Sequence, residues 1–272
     1  MKNPNVETQK DLEELFSKHQ LLSVLREEFQ EMGNDQIVVE PAMATETLVQ
    51  IYLHRQADAP TMVGILSPKY GSPQEVADKL LLLCEIDYLD FQETTQKFVV
   101  KYDVSEDVQQ MLDRYQYPLP MIVPPKTLYN NFDTGYFKMK SSAILNGSEY
   151  FDDKDICLDH LNRANSVILS LNMDVVYSEE GKYLRPTRNS GEDFEDFRKR
   201  QKQADVFYTT SVQVMETVNS LSDELYLTHK FDRRGRCYAS AYHINTQGTD
   251  YNKAVLQLAN KEIIEKATEK KC

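Results

Sequence analysis

Four prolines within eight residues fix the middle of this chain. In the stretch YPLPMIVPPK, residues 117–126, Pro118, Pro120, Pro124 and Pro125 each lack a backbone donor and lock φ, so no helix interior runs through it. Between them Met121-Ile122-Val123 is apolar, so the segment is expected to be extended and anchored in a core. The spacing is poor for a polyproline ligand, and the apolar residues call for burial instead.

Helical periods lie on both sides of this bar. Leu12, Leu15, Phe16, Leu22, Leu25, Phe29 and Met32 predict one helix over 8–32, stopped by Gly33. A second is expected over 42–56. Ser72, Pro73 and Glu75 spell a capping box with proline at the first helical position, predicting a helix over 73–91 centred on Leu80, Leu81, Leu83 and Cys84. Residues 98–102, FVVKY, form a short strand, and Ser105 with two acids behind it starts a helix that runs into the prolines.

After the prolines, residues 127–150 are turn-rich and aromatic, with Asn146-Gly147 suited to a tight turn. Residues 155–173 are predicted to be an amphipathic helix on Ile156, Leu158, Leu161, Ile168 and Leu171. Asn162, Asn165 and Asn172 interrupt its propensity, as surface residues or as hydrogen-bonding anchors for a neighbouring chain. A loop is expected over 179–193, then a helix over 193–219. The fold class is therefore mainly α with short β elements, an α+β protein.

Charge narrows the partners. The net charge is −12, but residues 1–180 hold 15 Lys/Arg against 30 Asp/Glu, while residues 181–272 hold 16 against 13. Such a chain is no indiscriminate DNA-coating protein, yet its C-terminal third can make local phosphate contacts. No apolar run reaches membrane-span length and the first residues lack a signal-peptide core, so a membrane partner is not expected. Cys84, Cys157, Cys237 and Cys272 are dispersed, and the histidines lack metal-ligand spacing, so no metal site is expected in this chain.

The C-terminal third concentrates its cations twice. Arg198, Lys199, Arg200 and Lys202 fall within five residues of the 193–219 helix, as a solvated surface or as a phosphate-facing one. In HKFDRRGRCYAS, residues 229–240, strand-like alternation breaks at Arg234-Gly235. Gly235 permits a positive φ, so Arg233, Arg234 and Arg236 can project differently. Asp232 can fix one guanidinium; a remaining fork suits a phosphate or carboxylate, and Tyr238 suits a sugar, a base or a structural hydrogen bond. The residues alone leave open a structural ion-pair turn, a nucleic-acid contact and an enzyme for a phosphorylated small molecule.

At this segment the chain resembles the single-subunit, phage-type RNA polymerases of phages and mitochondria. Their DxxGR motif is matched by Asp232, Gly235 and Arg236, followed by Cys237-Tyr238-Ala239; NTQGTDYNKAVLQLANKE (245–262), PMIVPPK (120–126) and the asparagine-bearing helix extend the likeness in order and spacing over about 105–262. The resemblance implies a helical N-terminal domain over 1–104, a core over 105–178 leading to the thumb, a shortened thumb-like region over 179–222, and a first palm segment of the polymerase right hand over 223–272.

It further implies that Arg233, Arg236, Tyr238 and Lys253 support the active centre or touch nucleic acid. Asp232 and Gly235 would shape the motif, and Arg198, Lys199, Arg200 and Lys202 would border the nascent duplex. Nucleotidyl transfer needs carboxylates holding two Mg2+ ions, and the family's palm aspartates and fingers helix have no counterpart in this sequence. The implied protein is thus the smaller, N-terminal-type subunit of a two-chain DNA-directed RNA polymerase, inactive alone. A second chain would carry the remaining palm, the fingers and the Mg2+. DNA template and RNA transcript are the other partners, with a single-stranded-DNA-binding helper for loading, in the cytoplasm of an infected bacterium. A palm divided this way is expected to leave strand edges open for the second chain. The alternative is a non-catalytic nucleic-acid-binding transcription factor, or a structural scaffold, derived from the same fold.

Overall fold

The computed structural model describes residues 2–33, 40–54, 57–145, 156–178, 186–232 and 234–260. The protein is mixed α and β, mostly helical with short strands. It forms two compact units, Met1–Ser17 with Arg114–Cys272, and Lys18–Asp113. Among the described residues no helix is long and apolar enough to cross a membrane.

The helix expected over 8–32 is two helices, α1 (Val6–Leu15) and α2 (Lys18–Gly33). Phe16 ends α1, and the Ser17 N–H folds back onto the Glu14 carbonyl. The apolar period carries across the break, so periodicity alone does not reveal it. The burial differs: Leu12 and Phe16 join the core of the larger unit, whereas Leu25 and Phe29 are buried in the smaller one.

The smaller unit continues with α3 (Pro41–His54), α4 (Ala59–Tyr70) and α5 (Pro73–Glu85). Strands β1 (Ala57–Asp58), β2 (Asp90–Gln92) and β3 (Lys97–Val99) form an antiparallel sheet in the order β1-β3-β2. The capping box at Ser72 is present in both directions. The helix behind it is shorter than the expected 73–91, because Asp87 takes a left-handed φ of 64° and the chain turns into β2.

The smaller unit ends within α6 (Glu106–Tyr115), and the proline segment that follows in the larger unit is extended and buried, as its composition requires. Leu119, Met121, Ile122 and Val123 are all core residues. Met121 exchanges both backbone hydrogen bonds with Tyr226, at 2.9 and 2.7 Å. Full burial of a side chain such as Met121 or Ile122 contributes about 1.5–3 kcal/mol.

The helix expected over 155–173 stops early. It runs as α7 (Leu158–Asn165), after which Leu169–Leu171 is strand β4, followed by the short α8 (Met173–Val176). The residues after Ser166 change from a helical to a two-residue alternation, burying Leu169 and Leu171 on one side. Strand β4 pairs antiparallel with β7 (Leu256–Leu258). The long helix α9 (Phe194–Leu221) starts on the Asp193 cap, and its buried face carries Val214, Met215 and Val218.

The three asparagines anchor this chain's own segments. The Asn162 amide accepts from the Leu128 N–H at 2.9 Å and donates to the Leu128 carbonyl at 3.0 Å. Asn165 Oδ1 accepts the His229 N–H at 2.9 Å, and Asn172 caps α8. Side-chain amides here replace backbone partners that irregular segments lack.

Candidate nucleic-acid interface

The alternation noted at 229–240 becomes a two-stranded ribbon, β5 (His229–Phe231) and β6 (Cys237–Ala239), with Lys230 opposite Tyr238. Its two faces differ. Phe231 and Cys237 pack on a small core of Leu128, Ala143 and Leu161, and Phe231 also stacks near His160. The other face carries the rungs Lys230–Tyr238 and Asp232–Arg236, since side chains alternate along each strand.

The turn is locked by one carboxylate. Asp232 Oδ1 accepts the backbone N–H of Arg234 and of Arg236, both at 2.9 Å, while Oδ2 takes the Arg236 guanidinium at 2.6 Å. Gly235 has φ +78°, and its N–H closes the turn on the Asp232 carbonyl at 3.0 Å. Desolvation pushes the Asp232 carboxyl up, but the hydrogen bonds from Arg236 and Arg234 outweigh it and hold it below the ordinary carboxylate value. The same pairing raises Arg236. Arg236 nevertheless stays 60% exposed along its side chain and lies 5.6 Å from the Tyr238 ring centre. Arg234 is exposed beside it, and Arg233 lies outside the described residues.

Both outer edges of this ribbon are covered by its own chain. On β5, Phe231 hydrogen-bonds to Ala143 and Leu145, and Asn165 takes the His229 N–H. On β6, the Gln247 amide accepts from the Ala239 N–H at 3.0 Å and donates to the Cys237 carbonyl at 2.6 Å, as a neighbouring strand would. The QGTD sequence thus contributes Gln247 to the motif. Lys253 sits on α10 (Asp250–Ala254) and pairs with Asp250 at 3.2 Å.

The cations at the start of α9 form a group of their own. Arg200 is committed to Glu192 at 2.7 Å and to the Thr187 carbonyl at 2.9 Å, a contact that pulls the Glu192 carboxyl down to about 2. Arg198 lies over the Phe194 ring, Lys199 pairs with Asp196 at 3.5 Å, and Lys202 is exposed. Arg200 thereby has a structural occupation at the entrance to the helix, while the other three remain on its surface.

Two further features were not singled out from sequence. Lys230 occupies the polar face of the ribbon, where the strand alternation placed it in phase with Asp232. Tyr117 and Tyr242 stack at 4.2 Å between ring centres and remain 40% and 46% exposed. Phe207 meets Tyr242 edge-on, and buried His243 is held by Ser211 at 3.0 Å. No sequence signal brings Tyr117 to Tyr242, because 125 residues separate them.

His229 supplies a pH expectation. Burial chiefly, and the neighbouring His160 ring, lower its pKa below the ordinary value, and its Nδ1 lies 3.0 Å from Asn165 Oδ1. The unfolded chain therefore binds this proton more readily, so stability is present above the unfolded value of about 6.5 and falls as pH drops through the lower folded one. Melting temperature should decline between pH 7.5 and 5.5, and His229→Gln should flatten that decline. An unchanged slope in the variant would remove His229 as its source.

Among the described residues no three His, Cys, Asp or Glu side chains are grouped to hold a metal ion. No protein-family model matches the chain, and no curated protein matches it.

Proposed function

We propose that this chain is the smaller, N-terminal-type subunit of a two-chain, phage-type DNA-directed RNA polymerase, acting in the cytoplasm of an infected bacterium. It contacts template and RNA:DNA hybrid, while a second chain supplies the Mg2+-holding carboxylates and the fingers. In this reading residues 179–222 serve as a thumb-like region and residues 223–272 as the first palm segment. The observation that carries the proposal is the arginine turn, in which Asp232 and Gly235 fix exposed Arg234 and Arg236 beside Tyr238. Exposed guanidinium groups held on a rigid turn suit phosphate oxygens. The stacked Tyr117–Tyr242 pair adds a surface on which an unpaired base can lie.

A non-catalytic nucleic-acid-binding factor is the second reading, because the same turn serves it equally. Binding and extension separate the two. The purified chain is expected to bind an RNA:DNA hybrid more tightly than duplex DNA of the same length, compared at matched salt because phosphate contacts are salt-dependent. Primer extension should require both magnesium and the second chain. Equal, weak binding to both duplexes would sink the hybrid-contact reading, and magnesium-dependent extension by this chain alone would overturn the division of labour.

A further inference from the structure

We propose that the polar face of the β5–β6 ribbon holds a phosphate group through Lys230, one rung inward from the arginine turn. The proposal rests on the hybrid-contact reading for the identity of its ligand, a nucleic-acid backbone phosphate. The site itself is argued from the ribbon.

Register sets the arrangement. Lys230 faces Tyr238 across the strands. The Ser240 N–H donates to the Thr228 carbonyl at 2.8 Å, continuing the ladder one pair inward, and the Asp232 N–H donates to the Arg236 carbonyl at 2.9 Å, continuing it one pair outward. Alternation puts Thr228, Lys230 and Asp232 on one face of the ribbon, with Ser240, Tyr238 and Arg236 opposite them. The face is polar at every rung, from two hydroxyls through an ammonium and a phenol to a guanidinium paired with the Asp232 carboxylate.

Its hydrogen-bonding capacity is not used up. The Lys230 ammonium donates to the Ser141 hydroxyl, which takes one of its three N–H donors. Among the described residues no carboxylate pairs with it, and burial pushes its pKa down with no opposing acid. The Ser240 hydroxyl is buried and has no hydrogen-bond partner among the described residues, whereas the Thr228 hydroxyl meets the buried Tyr136 hydroxyl. A sequestered cation that no described carboxylate pairs with is costly unless an anion completes it. Donors concentrated on one face, continuous with an exposed arginine, suit a tetrahedral phosphate rather than a cation or an apolar group.

This arrangement predicts opposite signs for stability and binding. Lys230→Met removes a half-buried, uncompensated charge while keeping the side chain's apolar length. It should leave the melting temperature of the full chain unchanged or higher. In the same variant, stabilisation of the wild-type chain by inorganic phosphate, measured against chloride at matched ionic strength, should disappear. Affinity for the RNA:DNA hybrid should fall, with the slope of log affinity against log salt shallower by roughly 0.7–0.9, the signature of one lost phosphate contact. Lys230→Arg, which keeps the charge, should retain most of that slope.

The outcomes separate the two readings. A wild-type chain that ignores the hybrid but is stabilised by phosphate through Lys230 keeps the site and removes its nucleic-acid ligand. Hybrid binding with an unchanged slope in Lys230→Met, and no response to phosphate in the wild type, overturns the site alone. A large fall in melting temperature, or failure of Lys230→Met to fold, also overturns it, because the lysine then has a structural partner.

Discussion

Replacing Arg236 with alanine is expected to weaken binding to an RNA:DNA hybrid by roughly 10–100-fold, the scale of a lost charge-assisted contact in a protected complex. Arg236 turns Nε and Nη2 toward Asp232 Oδ2, both at 2.6 Å, which holds the guanidinium plane before any ligand arrives. That leaves Nη1 for a phosphate and avoids most of the ordering cost of a long, free side chain. Arg236→Lys should recover only part of the affinity, since lysine keeps the charge but loses the planar fork. Arg234→Ala, one exposed arginine away, reports the effect of charge loss without the Asp232 lock. Fluorescence anisotropy over a salt series reads all three, with melting temperature as the control for folding. On the proposed two-chain reading, extension on a preformed scaffold should fall by a similar factor where the contact strengthens in the transition state. Unchanged hybrid affinity in a folded Arg236→Ala protein would leave the pair with Asp232 as a turn-stabilising contact and nothing more.

The sequence made local order legible and long-range order only partly so. The capping box at Ser72 and the prolines at 118–125 act through their own backbone, so residue type alone specifies helix start and extended chain. The Asp232–Gly235–Arg236 turn was legible for the same reason, since a positive φ and an adjacent carboxylate are local requirements. The break between α1 and α2 was not, because both stripes keep one period while packing in different cores. Asn165 and Gln247 illustrate a second limit. Each edges the arginine ribbon from a distant or irregular segment, and an amide in a sequence does not reveal which backbone it will satisfy. Lys230 was legible as a strand position but not as a half-buried amine, since its burial depends on Ser141 reaching it from 89 residues away.

These limits meet in Glu13, whose replacement is expected to have the largest effect on stability. It is 1% exposed, on a helix whose visible sequence signal is an apolar stripe. Its carboxylate accepts three successive backbone N–H groups, from Phe137 at 2.9 Å, Lys138 at 2.5 Å and Met139 at 3.0 Å. Gln9, one turn earlier, donates to Glu13 at 3.0 Å and accepts the Ile122 N–H at 2.8 Å, tying α1 to the proline segment as well. Glu13→Ala would leave three partly buried donors without their acceptor, each costing about 1–3 kcal/mol, so a loss of about 3 kcal/mol or more is expected. At roughly 2–4 °C per kcal/mol for a unit of this size, its melting temperature should fall by about 6–12 °C. The adjacent Glu14 provides the contrast. It pairs with Lys138 at 3.1 Å, both side chains are nearly half exposed, and Glu14→Ala should change stability by no more than about 0.5 kcal/mol. Glu13→Gln keeps one acceptor oxygen but turns an NH2 toward backbone donors, so it should recover little. Differential scanning calorimetry of the three variants decides the matter: if Glu13→Ala melts with Glu14→Ala, α1 is held by Leu12 and Phe16 alone. A deficit in Glu13→Ala that Glu13→Gln largely shares identifies the carboxylate as the group fastening the N-terminal helix to the main core of the larger unit.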